Sequence, residues 1–230
     1  MKDILKSLLY LFYPEVCMGC GNSLVSGEKI LCTRCEVNLP RTRFHSDTEN
    51  EVSRIFWGRV ELQMATTFLY FRKGGNVQNL MHQFKYKGER EIGHHLGKLF
   101  ATELEDESFY SSADLIIPVP LHPDKEKKRG YNQSHVIAGG MGEILKIPVV
   151  ADVLVRKTFS ETQTKKARYS RWENVKAIFG LEDPDKLINK NVILVDDVVT
   201  TGATLEACAS ILIEKGRAKV GVATLAMASQ

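Results

Sequence analysis

The chain has 230 residues, enough to bury a substantial core as one large domain with a smaller module attached. Its 31 basic and 28 acidic side chains leave a formal charge of +3, too weak a global field to carry an argument for nucleic-acid binding. No stretch is long and apolar enough to span a bilayer and no secretory signal is evident, so cytoplasmic residence is the expectation.

From the start of the chain, "SLLYLFYP" is apolar but short, lacks an Ala-x-Ala-like cleavage pattern and ends at Pro14. It predicts a packed N-terminal helix. Cys17, Cys20, Cys32 and Cys35 then form two C-x2-C pairs eleven residues apart, with Cys208 far downstream. Two short knuckles of this kind each present two sulfurs to a tetrahedral ion, which favours a structural zinc site over reduced thiols or a redox pair. All four ligands are supplied, so the metal is expected to fold the module rather than catalyse. The division expected is residues 1–45 for the N-terminal helix and zinc ribbon, and 46–230 for the main domain. Arg34, Arg41 and Arg43 suit phosphate contact or protein docking equally.

"HSDTENEVSRIFWGR" marks the transition, and "VELQMATTFLYFRKGG" predicts strand structure running into a turn at Gly74 and Gly75. "NVQNLMHQFKYKGEREIGHHLGKLFATEL" reads as one or two helices broken near Gly88. Within it, His82, His94 and His95 lack a ligand partnership and read as exposed or satisfied histidines. Lys85 and Lys87 suit a helix surface or a phosphate contact. From "ADLIIPVPL" onward the pattern alternates: the basic helix candidate "HPDKEKKRGYNQSHVIAGGMGEIL", a strand-like "VVADVLVRK", a polar connection, the strand "NVILVDD", the helix "GATLEACASILIEKG" and a final strand "AKVGVATLAMA". Strands separated by helices predict an α/β sheet with crossovers.

The most informative junction is "VILVDDVVTTGAT". A buried strand delivers Asp196 and Asp197 at its carboxyl end, where open sheets form ligand sites. The following helix start offers unpaired backbone donors to a phosphate, Thr200, Thr201 and Thr204 add hydroxyls, and Gly202 permits close approach. Carboxylates and phosphate repel, so Asp196 and Asp197 suit ribose hydroxyls or a hydrated magnesium ion instead. A phosphosugar site is the reading; a structural Asp turn is the alternative. Upstream, Lys128 and Arg129 follow the constrained "PVPL" turn and are better placed for phosphate than an average charge run, while Gly130, Tyr131, Asn132 and Gln133 suit organising roles. From Arg156 to Arg171, six basic residues against Glu161 give a local charge of +5. Closure of Arg156, Lys157 or Arg168 over a leaving group would neutralise it, and a solvated or DNA-binding basic loop is the competing reading.

"VILVDDVVTTGAT" resembles the type I phosphoribosyltransferase signature. Together with "CMGC", "CTRC", "PVPL", "KKRGYNQSH" and "TQTKKARYSRWENVKAIF", the wider chain resembles the ComF family of competence-associated proteins. The resemblance implies a type I phosphoribosyltransferase-like α/β fold, a mostly parallel sheet flanked by helices with a small N-terminal four-cysteine zinc module. It further implies magnesium with 5-phosphoribosyl-1-pyrophosphate as ligand, an undefined base acceptor, and a role in natural transformation, DNA uptake or processing. Carried over by position, Asp196 and Asp197 would face the ribose. Thr200, Thr201, Gly202, Ala203 and Thr204 would surround the 5-phosphate, Val198 and Val199 would belong to the same ligand-binding stretch, and Val119, Pro120 and Leu121 would receive pyrophosphate. The competing function is a noncatalytic phosphosugar sensor or DNA-processing adaptor. Single-stranded DNA or DNA-processing proteins are the expected partners, and the chain lacks G-x-x-x-x-G-K-[ST], which disfavours a general NTPase.

Overall fold

The computed structural model describes residues 14–72, 74–157 and 178–228. The expected N-terminal helix and all of the basic segment from 158 to 171, Arg168 included, lie outside the described residues. In chain order the helices are α1 (Thr33–Val37), α2 (Glu51–Phe56), α3 (Asn76–Tyr86), α4 (Arg90–Leu104), α5 (Ser108–Ser111), α6 (Pro123–Arg129), α7 (Gln133–Leu145) and α8 (Ala203–Glu214). The strands are β1 (Met64–Phe71), β2 (Leu115–Pro118), β3 (Leu154–Arg156), β4 (Phe179–Leu181), β5 (Asn191–Val199) and β6 (Lys219–Ala228).

Four strands form a parallel sheet in the order β1-β6-β5-β2. Their continuous apolar runs follow from burial on both faces, since parallel strands need crossover helices and those helices cover the sheet. On one face α3, α4 and α7 pack with Phe68, Phe100, Ile137, Ile193 and Val195. The opposite face carries Phe56 of α2 and Leu205 and Leu212 of α8 against Leu194 and Val222. The expected α/β sheet flanked by helices is therefore present.

Local chemistry sets the elements. In α3, Val77, Leu80, Met81 and Phe84 recur at helical spacing and are buried. Gly88, with φ at 79°, provides the left-handed turn that separates α3 from α4, at the break expected there. Asn132 caps α7 by accepting from Ser134 N at 3.0 Å. The helices α4 and α7 meet backbone against backbone: a Cβ on Gly97 would lie 2.4 Å from Ile137 O, and one on Gly140 would lie 2.1 Å from His94 O.

The "VVADVLVRK" stretch departs from the simple alternating scheme. Val149 makes one parallel bridge beside Ile116 at the edge of β2, then the chain bends, and only Leu154–Arg156 forms a strand. That strand, β3, pairs antiparallel with β4 in a separate two-stranded sheet, because the parallel ladder at β2 has already ended.

Both edges of the main sheet are covered by short segments of the chain itself. At β1, Thr42 N donates to Phe68 O at 2.9 Å and Tyr70 N to Pro40 O at 2.9 Å. At β2, Ile116 N donates to Pro148 O and Val150 N to Ile116 O, each at 2.9 Å. The four-cysteine segment also shares the main core. Cys17, Leu24, Leu31 and Leu39 belong to the same buried cluster as Phe68 and Phe84, and Gln83 Nε2 donates to Met18 O at 2.8 Å. Among the described residues no helix is long and apolar enough to cross a membrane.

Candidate functional site

Val192 to Val195 are buried in the sheet, and β5 continues through both aspartates to Val199, four residues past Val195. The acidic pair thus sits on regular strand backbone, with Asp196 in register with Thr224 of β6. The chain then turns through Thr200 and Thr201, both exposed, into Gly202 at the start of α8. Gly202 has φ at 73°, and a Cβ there would lie 2.7 Å from Ile55 Cγ2. Glycine is required both for the left-handed backbone and for the approach of α2. Among the described residues no side chain caps α8, so its first-turn N–H groups receive no capping oxygen from them. Asp196 and residues 198–205 line a small cavity of about 60 Å³ there. Its size and donors suit a single tetrahedral anion.

The two carboxylates have different partners. Asp196 Oδ1 accepts from Ser134 Oγ and from Asp197 N, both at 2.8 Å. Asp197 Oδ2 pairs with Lys85 Nζ at 2.8 Å, both side chains being mostly buried. Burial, followed by the negative charge of Asp197, pushes the pKa of Asp196 up to about 7 from 3.8; the Ser134 and backbone hydrogen bonds and Lys85 oppose that rise. A folded-state carboxyl pKa above its unfolded value means that the native state holds the proton longer. Its contribution to stability is full below the unfolded value and is lost as pH rises toward 7. Melting temperatures measured from pH 4 to 7 are expected to show this descent in the native chain and a flatter profile in Asp196→Asn. Parallel profiles would assign the carboxyl no such role.

The phosphate-loop candidate is also tied from outside. Arg59 follows α2, and its Nη1 donates to Thr201 O at 2.8 Å and to Ile55 O at 2.9 Å. Its Nη2 pairs with Glu206, a carboxylate only 3% exposed in the first turn of α8. This pair fixes the loop and the helix start relative to α2. Sequence reasoning missed Arg59, Glu206 and Ser134 and left Lys85 undecided. The one visible signal was Glu206, a lone carboxylate in the otherwise apolar "LEACASIL", whose burial requires a partner.

Pro118 pairs with Val195, so the loop of Val119, Pro120 and Leu121 opens at the strand end beside the acidic pair. Val119 N donates to Val195 O at 2.8 Å, and Val119 O accepts from Asn132 Nδ2 at 3.0 Å. Pro120 has no N–H, so among these three described residues only Leu121 has a backbone donor outside the sheet. Asn132 thus organises the loop, Gly130 takes the left-handed turn ending α6 with φ at 80°, and Tyr131 packs against Phe84. Lys128 is exposed on α6, whereas Arg129 lies over the Tyr86 ring at 5.4 Å and donates to Gln133 Oε1 at 2.7 Å. Arg156 lies on the α8 side, its guanidinium 5.3 Å from the Phe179 ring centre. Burial lowers its pKa, with Cys208 opposing. The Lys157 side chain lies against Gly180. Among the described residues neither makes a hydrogen bond or ion pair to Asp196, Asp197 or the Thr200–Thr204 turn, and Arg168 lies outside them.

The sulfurs of Cys17, Cys20, Cys32 and Cys35 lie within 4.8 Å of one another. Four thiolates at that separation fit a tetrahedral ion. Burial opposes ionisation of Cys17, yet backbone N–H groups of Cys32, Cys20 and Gly19 outweigh it and lower its pKa to about 7. Two of those donors are Cys32 N at 3.2 Å and Gly19 N at 3.4 Å. The Cys32 and Cys35 thiols shift upward instead, Cys35 through burial and its neighbouring cysteine sulfurs, so it is the spacing of the four sulfurs that makes the cluster able to hold a metal. Cys208 is buried in α8, apart from it. The three histidines do not converge: His94 faces Glu143 at 3.3 Å, His95 faces Glu36 at 3.0 Å, and His82 packs on Tyr86.

Residues 132–230 match the phosphoribosyl transferase domain model. The chain is 32% identical over 217 residues to the DNA utilization protein YhgH of Escherichia coli O157:H7, covering 93% of this chain and 91% of that protein. Competence protein ComFC of Bacillus subtilis (strain 168) is 26% identical over 223 residues, with 94% and 86% covered. Among solved structures, a purine phosphoribosyltransferase from Pyrococcus horikoshii aligns at 20% identity and a TM-score of 0.39, covering 59% of this chain and 73% of that one.

Proposed function

The chain belongs to the ComF and YhgH family, with a type I phosphoribosyltransferase-like fold and an N-terminal four-cysteine cluster able to hold a metal, and from that premise we propose that it is a phosphoribosyltransferase using 5-phosphoribosyl-1-pyrophosphate with magnesium. The observation that carries the reading is the junction itself: two strand-borne carboxylates directly before a glycine-started helix whose first-turn donors line a phosphate-sized cavity. In this reading the N–H groups and hydroxyls from Thr200 to Thr204 hold the 5-phosphate, and Val198 and Val199 shape the approach. Asp196 and Asp197 orient the ribose hydroxyls, with Lys85 balancing the charge of Asp197. Leu121 N–H, Lys128 and Arg129 receive pyrophosphate, whose departing charge Arg156, Lys157 or Arg168 neutralises on loop closure. Magnesium, when bound, screens the pyrophosphate charge. Zinc on Cys17, Cys20, Cys32 and Cys35 is structural. Residues 1–45 form the metal module and 46–230 the transferase domain.

The relatives are named for competence and DNA utilization, and we assign the activity to DNA uptake or processing on that basis. The test incubates metal-loaded protein with magnesium, ribosyl pyrophosphate and a panel of bases, with products read by mass spectrometry. Acceptor-dependent pyrophosphate release is expected, and Asp197→Ala is expected to reduce it at least about 100-fold, in the range of a lost transition-state contact. Binding without any acceptor-linked product would replace the enzyme with a phosphosugar sensor or adaptor.

A further inference from the structure

A second cavity, of about 680 Å³, opens beside the phosphate-loop candidate at the C-terminal ends of β1, β5 and β6. That is roughly ten times the volume of the phosphate-sized cavity and within the range of about 300–1,000 Å³ typical of small-molecule sites. Thr200 belongs to the walls of both, so a ligand in the larger cavity abuts one held by the turn. The remaining walls divide by chemistry. Ile55, Tyr70 and Met227 supply apolar and aromatic surface, and Arg54 and Arg72 supply two guanidinium groups.

These walls are held in place. Tyr70 is locked edge to face on Phe44, with ring centres 5.7 Å apart at 80°, which fixes a flat aromatic wall. Arg54 donates from Nε to Glu49 O at 3.0 Å and lies 5.9 Å from the Trp57 ring centre. Its terminal nitrogens form the fork that reads planar anions. Among the described residues neither Arg54 nor Arg72 forms an ion pair with a carboxylate, although Glu51 also lines the cavity. A neutral acceptor would make no use of two arginines. A carboxylate or phosphate would engage them with charge-assisted, bidentate hydrogen bonds.

We propose that this cavity is the acceptor site and that it takes a planar nitrogen heterocycle carrying an anionic group, stacked by Tyr70 and Met227 and read by Arg54 and Arg72. The inference rests on the ribosyl reading of the neighbouring turn. It narrows the acceptor from any base to an anionic one.

The test is calorimetric titration of full-length, metal-loaded protein with ribose 5-phosphate, followed by heterocycles with that ligand present. The heterocycle panel is orotate and nicotinate as carboxylates, with uracil and nicotinamide as their neutral counterparts. At least one anionic heterocycle is expected to bind about tenfold or more tighter than its neutral counterpart, the difference expected of a bidentate charged pair. The double variant Arg54→Gln, Arg72→Gln should lose that preference with ribose 5-phosphate affinity unchanged, and Arg72→Lys should retain part of it. Both arginines are exposed, so the fold is expected to survive, and a thermal melt checks this. Ribose 5-phosphate binding with no anionic preference, or a preference that survives the double substitution, overturns the acceptor assignment alone. Failure of ribose 5-phosphate itself to bind overturns the ribosyl reading and this inference with it.

Discussion

Gly140→Ala is expected to cost about 2–3 kcal/mol and to lower the melting temperature by roughly 5–10 °C, although alanine is the better helix former. The added Cβ would sit 2.1 Å from His94 O and 3.1 Å from Lys98 N, and these are backbone atoms of α4 that no rotamer change can move aside. The helices α4 and α7 would have to separate, reopening packing around Leu96 and Ile137. Gly139 in the same helix is the control. A Cβ there meets nothing closer than His94 Cδ2 at 4.0 Å, so Gly139→Ala should gain stability by up to about 1 kcal/mol from helix propensity. Chemical or thermal denaturation of the two variants decides the matter. Equal shifts would mean that the helix crossing tolerates separation.

The second large effect is expected at the cysteines. Cys32→Ser should reduce bound metal from about one ion per chain toward none and lower the melting temperature by roughly 10 °C or more, since structural thiolate sites carry folding free energy directly. Elemental analysis of the purified protein measures the first and a melt the second. Cys208→Ala is the comparison: it removes a buried sulfur from α8 without touching the cluster, and should leave the metal content unchanged. The loss at Cys32 should reach beyond the module, because Leu24, Leu31 and Leu39 are packed into the same core as Phe68 and Phe84. A metal-free protein with an unchanged melt would mean that this shared core stands without the ion.

The sequence carried local information well. The spacing of four cysteines, the apolar "VILV" before two aspartates, and the helix break at Gly88 each express a rule that acts within a few residues, and each has its counterpart in the structure. What lay hidden depends on contacts across the chain. Lys85 to Asp197, Ser134 to Asp196 and Arg59 to Glu206 join residues 112, 62 and 147 positions apart. No periodicity encodes such partners. Lys85 follows the buried Phe84 and so sits at the margin of the apolar stripe of α3, where helix pattern alone does not distinguish a solvated lysine from a paired one. The pairing of β3 with β4 was similarly out of reach: three-residue strands give too little alternation to declare either partner or direction. At the pyrophosphate-loop candidate the letters identified a constrained turn, but only the hydrogen bonds of Val119 show that its own N–H is spent on the sheet.

The short segments along the sheet's two borders govern how the molecule can associate. An open strand edge is a template for pairing with another chain. Here residues 40–42 occupy backbone groups of β1 and residues 148–150 occupy those of β2, so self-association by strand addition has no ready docking rail at either border. The guard on β1 begins five residues after Cys35. For a metal held by the four cysteines, stripping it would therefore threaten more than local folding. If residues 40–42 came loose with the metal, the backbone of Phe68 to Tyr70 would be open to a neighbouring molecule, and light scattering that rises under chelation is the expected sign of it.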